Sequence, residues 1–198
     1  MLKVSAVVLA GGKSQRLGVD KALLKIDGEW LLERILNTMS ALSDDLLVVA
    51  NARPEFAGMR ARSIPDAYPD TGPLGGIYTG LRAMRYERGL FVACDMPLLN
   101  LPLLRYIILL SADFDVVIPS TYGKTEPLHA VYSKACMRPI EKLLRSGERR
   151  IVSFFPEVRV RYVTESEVDT LDPKHLSFFN INTAEDLEMA KRLLHSQS

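Results

Sequence analysis

An α/β fold, built on one open, mostly parallel sheet with helices on both faces, is what this sequence predicts. Three observations predict it. Short, β-branched, nearly continuous apolar runs recur along the chain, and such runs suit parallel strands covered on both faces. Helical patterns alternate with those runs from end to end, through short connections. No internal repeat, low-complexity linker or compositional break divides the 198 residues. The expectation is therefore a single three-layer domain spanning 1–198, long enough to bury a core without staples.

The elements follow in order. Residues 4–10 (VSAVVLA), 46–50 (LLVVA), 90–94 (LFVAC) and 116–119 (VVIP) are the buried parallel strands, with a shorter strand at 61–64. Between them, 31–42, 74–84 and 101–110 place apolar residues at helical spacing. The second half is less regular. Strands are expected at 128–132 and 159–163, the latter alternating Val158, Val160 and Tyr162 against Arg159 and Arg161. Helices are expected at 135–144 and 184–194. Pro139 makes the first of these start near it or kink. Thr183-Ala184-Glu185-Asp186 reads as an N-cap followed by acidic residues that favour the helix dipole. The tail 195–198 reads as frayed.

Charge and cysteine usage exclude several classes of function. Lys and Arg total 25 against 24 Asp and Glu, a net charge of +1, so nothing draws the chain to nucleic acid or an anionic membrane. Cys94 and Cys136 form no CxxC and have no His at zinc-ligand spacing, which argues against a disulfide framework or structural zinc and for a reducing, cytoplasmic setting. One basic residue before a short apolar run gives the start a faint likeness to a signal peptide. That run is at the short end of the ~7–15 residues such a region needs, and Gly11-Gly12-Lys13-Ser14 reads as a loop after a buried strand. No stretch approaches the ~20 apolar residues of a membrane span; even 98–112 is broken by Asn100, Pro102 and Arg105.

Open α/β sheets bind ligands outside the carboxyl ends of their strands. The residues there are 11–21 after the first strand, Asn51 after the second, Asp66 after the third and Asp95 after the fourth. Glycines, cations, an amide and carboxylates are the make-up expected of a nucleotide site. Gly11-Gly12 after a strand lets backbone N–H groups turn toward an anion, with Arg16 and Lys21 adding charge around a polyphosphate. An ordinary tight turn carrying surface cations is the bland alternative. A Walker A loop fails on spacing, because Val7 stands where its first glycine belongs, and GxGxxG fails as well. Asp95 ends an apolar strand, where a carboxylate is costly unless solvated, hydrogen-bonded or bound to a cation; Mg²⁺ commonly takes one or two carboxylates plus phosphates, and a turn-forming aspartate before Met96-Pro97 is the plainer reading. Asn51 is placed to read a base edge or ribose. Asp66 also suits an Asx turn. Gly75 and Gly76 in a helix start cost about 1 kcal/mol each relative to alanine, which points either to a base or ribose over the helix N-terminus or to tight helix packing. Asn180 and Asn182, two apart on an extended segment, point the same way. His129 on a strand reads as structural, Arg149 and Arg150 as solvated, and His175 and His195 as surface residues without chemistry.

LAGGKSQRLGVDKALL resembles the signature of the molybdenum cofactor guanylyltransferases, the MobA family. The resemblance continues at Gly72-Pro73-Leu74-Gly75-Gly76-Ile77, Ala93-Cys94-Asp95-Met96-Pro97 and Asn180-Ile181-Asn182-Thr183, in the family's order and over nearly the whole chain. It implies a Rossmann-like sheet of the nucleotide-diphospho-sugar transferase type and transfer of GMP from GTP to the terminal phosphate of molybdenum-molybdopterin, with release of pyrophosphate. It implies a nucleotide site at Leu9, Ala10, Gly11, Gly12, Lys21, Asn51, Asp66, Gly75 and Asp95. It further implies Asp95 as the Mg²⁺ ligand, Lys21, Asp95 and Arg16 as the catalytic set, and Asn180 and Asn182 on the pterin side. LAGG in the first loop favours GTP, where LAAG goes with CTP. The alternatives are a cytidylyltransferase or another nucleotidyltransferase acting on a pterin, sugar or polyol phosphate, and a non-catalytic GTP-binding protein for cofactor delivery. The partners expected are GTP and molybdopterin, with transient contact to cofactor-biosynthesis proteins or molybdoenzymes, no nucleic acid or membrane, and a monomeric state.

Overall fold

Nearly continuous apolar runs, alternating with apolar residues at a period near 3.6, make this chain alternate strand and helix. The computed structural model describes residues 2–10, 21–50, 56 and 58–196. β1 (Ser5–Leu9) is buried throughout. A small hairpin of β2 (Lys25–Ile26) and β3 (Glu29–Trp30) turns through Asp27 and Gly28, both at positive φ, and leads into α1 (Leu31–Ser40). Next come β4 (Leu46–Val49), β5 (Arg62–Ile64), α2 (Pro73–Ala83), β6 (Arg88–Ala93) and α3 (Leu101–Leu110). The second half holds β7 (Val116–Thr121), β8 (Lys124–Thr125), β9 (His129–Ser133), α4 (Met137–Ser146), β10 (Val160–Val163), α5 (Glu165–Leu171) and α6 (Ala184–His195).

The strand order is β10-β7-β9-β6-β1-β4-β5, with β8 paired to β7. β1 pairs in parallel with β4 and β6, β4 with β5, and β7 with β10, while β9 runs antiparallel between β6 and β7. Because β9 opposes both neighbours, β6 and β7 point the same way, and the sheet is mixed but mostly parallel, as expected. Helices cover both faces. On one, α1, α3, α5 and α6 bury Leu31, Leu103, Val168 and Ala190 against Val8, Val48 and Val92. On the other, α2, α4 and a 3-10 turn at Ile151–Glu157 bury Ile77, Ile140 and Phe154 against Val7, Phe91 and Tyr132.

Local chemistry sets the element ends. Asn100 caps α3, its Oδ1 accepting from Leu103 N–H at 2.9 Å. Thr164 with Glu167, and Thr183 with Asp186, close capping boxes on α5 and α6, the second as the sequence predicts. α4 begins two residues before Pro139, which therefore sits in the first turn, where its missing N–H costs nothing. Gly80 lets α2 lie close on the sheet: a Cβ there would meet Phe91 Cε1 at 2.6 Å and Val7 Cγ1 at 2.8 Å. The β2–β3 hairpin, β8, α5 and the 3-10 turn go beyond the sequence expectation. At β10 the expected alternation is displaced. This edge strand pairs with β7 alone, and Val163 is fully buried while Tyr162 is 45% exposed.

At the amino end of the sheet Asp45 is 2% exposed. It accepts from the Ser5 hydroxyl, Arg85 N–H and Arg62 Nη2. Burial alone pushes its carboxyl up, but these donors outweigh it and hold the group below the usual carboxylate range. No helix among the described residues is long and apolar enough to cross a membrane.

Candidate active site at the carboxyl edge

β1, β4, β5, β6, β7 and β10 all end on one edge of the sheet. Lys21 opens a short 3-10 turn there, and Asp95 follows β6. The Lys21 ammonium donates to Asp95 Oδ2 at 2.7 Å and to Asn182 Oδ1 at 2.6 Å. The Lys21 and Asp95 side chains are 19% and 17% exposed, so this pair is partly shielded from water. Asp95 Oδ1 is buried and has no hydrogen-bond partner among the described residues.

Two backbone devices bring Asn182 to Lys21 across 161 residues of sequence. Ile181 is fully buried, and its N–H donates to the Asp95 carbonyl at 2.9 Å, which ties the segment before α6 to the end of β6. The α6 capping box then fixes the next residues: Asp186 Oδ2 accepts from both Asn182 N–H and Thr183 N–H at 2.9 Å. The Asn182 N–H bond leads the interactions that lower the Asp186 pKa. Asn180 and Asn182 flank the inward-pointing Ile181. Asn180 donates from Nδ2 to the Phe178 carbonyl at 2.8 Å.

A second grouping lies on the β5 side. Asp66 Oδ1 accepts from Tyr68 N–H at 3.0 Å and from the Thr79 hydroxyl at 2.9 Å, forming the Asx turn that its position allows. The same loop presses on Gly75, where a Cβ would clash with Thr71 Oγ1 and lie 2.8 Å from the Tyr68 carbonyl oxygen. The close approach that requires Gly75 is made by the chain's own loop. Leu9 ends β1 and Ala10 follows it, with Ala10 N–H bonded to the Val49 carbonyl at 2.9 Å. Gly11, Gly12, Arg16 and Asn51 lie outside the described residues.

Spacing could not show that Lys21, Asp95 and Asn182 form one cluster, although the Thr183 cap next to Asn182 was a usable signal. His175 also differs from its expected surface role: its side chain is 10% exposed and its Nε2 lies 2.6 Å from Asp169. His129 lies buried on β9, as a structural residue would, but neither ring nitrogen has a hydrogen-bond partner among the described residues. Burial pushes its imidazole down to about 3, and its ring packs edge-on against Phe178 at 5.0 Å. Burial lifts the Glu126 carboxyl, partly offset by Lys124.

No group of three His, Cys, Asp or Glu side chains able to hold a metal occurs among the described residues. The unpartnered Asp95 Oδ1, with the Asn182 amide oxygen nearby, still fits Mg²⁺, which keeps water and takes phosphate oxygens for the rest of its shell. A cation, a carboxylate and an amide around one point suit polyphosphate binding and charge neutralisation.

Comparisons with known proteins identify the family. The profile of the MobA-like NTP transferase domain matches residues 6–161. The chain is 36% identical over 191 residues to a probable molybdenum cofactor guanylyltransferase of Pelotomaculum thermopropionicum, covering 96% of this chain and 93% of that one. It is 37% identical over 190 residues to a molybdenum cofactor guanylyltransferase of Desulfosudis oleivorans, covering 95% and 94%. The crystal structure of molybdopterin-guanine dinucleotide biosynthesis protein A from Archaeoglobus fulgidus superposes with a TM-score of 0.84 at 26% identity, covering 98% of this chain and all of that one. The profile match over residues 6–161, together with likeness over nearly the whole length, places the chain in the MobA-like NTP transferase family.

Proposed function

We infer that this chain is a molybdenum cofactor guanylyltransferase, transferring GMP from GTP to the terminal phosphate of molybdopterin and releasing pyrophosphate. The observation that carries the reading is the Lys21 ammonium held between Asp95 and Asn182 at the carboxyl edge, in a chain 36% and 37% identical to enzymes of that name. An acceptor phosphate oxygen forms a bond to the GTP α-phosphorus, and the bond from that phosphorus to the bridging oxygen breaks in line. The attacking oxygen is already anionic at neutral pH, so no strong base is needed. A fully buried His129, kept neutral, agrees with that economy.

Catalysis is then positioning and charge neutralisation. Lys21 donates to a phosphate oxygen whose charge grows in the transition state, and Asn182 keeps the ammonium aimed. Asp95, through its unpartnered Oδ1, would hold Mg²⁺. The ion, when bound, neutralises phosphate charge and polarises the phosphoryl group. Leu9, Ala10, Gly11, Gly12, Asn51, Asp66 and Gly75 bind the nucleotide, Arg16 adds charge at the phosphates, and Asn180 and Asn182 face the acceptor. The whole chain works as one domain, as a monomer in the cytoplasm.

Thermal-shift titration with GTP, CTP, ATP and UTP, each with and without Mg²⁺, tests the reading, followed by pyrophosphate release with molybdopterin. A ligand at 100 times its dissociation constant adds about 2.7 kcal/mol to stability. Stabilisation by GTP, strengthened by Mg²⁺, and pyrophosphate release with molybdopterin are expected. A preference for CTP moves the chain to cytidylyl transfer, and no shift with any nucleotide overturns the site.

A further inference from the structure

β7 ends in the two-residue turn Tyr122-Gly123 and returns as β8, with Thr121 opposite Lys124. Both turn residues take positive φ, 51° and 71°. A tight hairpin needs that turn, and asparagine or glycine fills its first position at least cost, because a bulky side chain there is strained. This chain places a tyrosine there and leaves it in the open. Tyr122 is 74% exposed, the most exposed large hydrophobic side chain among the described residues. Its N–H is held by Glu165 Oε2 at 3.0 Å.

The Tyr122 ring is tilted by 45° on the His175 ring, with centroids 5.2 Å apart. His175 is also at positive φ, 52°, and Asp169 fixes its ring through Nε2. The row continues inward, from His175 to Phe178 at 6.1 Å and from Phe178 to the buried His129 at 5.0 Å. Strain of this kind persists only where the surroundings enforce it, and it gathers at ligand sites.

Its place in the fold gives the row a role. β7 lies two strand spacings from β6, across β9, which sets the Tyr122 turn about 10 Å to the side of the strand that leads to Asp95. That side is away from β1, β4 and β5, whose ends carry the nucleotide residues. One step in from His175, Phe178 holds Asn180 through its carbonyl, on the segment that brings Asn182 to Lys21.

We propose that Tyr122, backed by His175, is a stacking shelf for the fused heteroaromatic ring of the acceptor, whose phosphate then reaches Lys21 and Asp95. The proposal rests on the guanylyltransferase reading for the acceptor's identity. The shelf itself rests on the turn and the ring row. An exposed aromatic face takes a flat ring by offset stacking, and each such stack changes affinity by about tenfold or more.

The test is quenching of 6-hydroxymethylpterin fluorescence, a probe with the ring but no phosphate, by the wild-type protein, Tyr122→Phe and Tyr122→Asn, together with KM for molybdopterin. Tyr122→Asn suits the turn better, so its melting temperature rises while its affinity for the probe falls about tenfold and KM for molybdopterin rises to match. Its kcat and its GTP-induced thermal shift stay at wild-type values, and Tyr122→Phe behaves as wild type. Equal probe affinity in wild type and Tyr122→Asn, or no quenching by wild type, overturns the shelf. Probe binding that depends on Tyr122 in a protein that releases no pyrophosphate from GTP with molybdopterin keeps the shelf and overturns the guanylyltransferase reading instead.

Discussion

Lys21 has two partners, and they are not equivalent. Asp95 balances its charge, while the neutral Asn182 amide only aims it. Lys21→Ala is expected to lower kcat by about a hundredfold or more, the size of effect seen when one donor to a developing oxyanion is removed. Asp95→Ala lowers turnover as strongly and also abolishes the strengthening of the GTP thermal shift by Mg²⁺. Asn182→Ala should cost less and leave nucleotide-induced stabilisation intact. Steady-state pyrophosphate release and thermal shift on the three variants separate these outcomes, and an unimpaired Lys21→Ala removes that residue from the mechanism. Asp95 was marked in the sequence by the buried run it follows, and Lys21 by the glycine pair and cations after the first apolar run. Their joint contact with Asn182 was not, since no local pattern records a hydrogen bond spanning 161 residues.

Long, strongly patterned elements were readable to within a residue or two, and 101–110 coincides with α3. The two-residue strands and seven-residue α5 escaped because so few positions carry no usable period. Glycines in α2 show a subtler limit. Sequence alone flagged Gly75 and Gly76, yet Gly80 is the one wedged against Val7 and Phe91. Gly80→Ala gains about 1 kcal/mol of helix propensity but overpacks a filled interface, which costs about 1–3 kcal/mol. The expected result is a lower melting temperature; an unchanged or higher one would show that α2 can lift off the sheet freely.

For the molecule entire, two of the groups that make it acid-sensitive act in different windows. Glu167 is pushed up by burial, but donors from Tyr106, Thr164 and Arg161 outweigh this and set it at about 2 against an ordinary 4.5. Its stabilisation is complete above pH 4.5 and is lost as pH falls toward 2. His129 is held neutral by burial down to about 3, while the unfolded chain protonates near 6.5. Its loss therefore begins earlier, from about pH 6.5 downward. Denaturation midpoints followed from pH 7 to 3 should fall in both stages, and His129→Leu should remove the first stage while leaving the second. A decline confined to pH below 4.5 in the wild type would show that His129 does not bear this load.

The hydrogen bond from Lys21 to Asn182 also orders events in time. The lysine is made early and its partner 161 residues later, a delay of about 8–30 s at ordinary rates of translation. Throughout that interval the nascent chain already carries its glycine-rich loop and then its acidic strand end, but nothing yet aims the ammonium. The Lys21–Asn182 bond can therefore close only once the segment before α6 has been made, after every strand of the sheet.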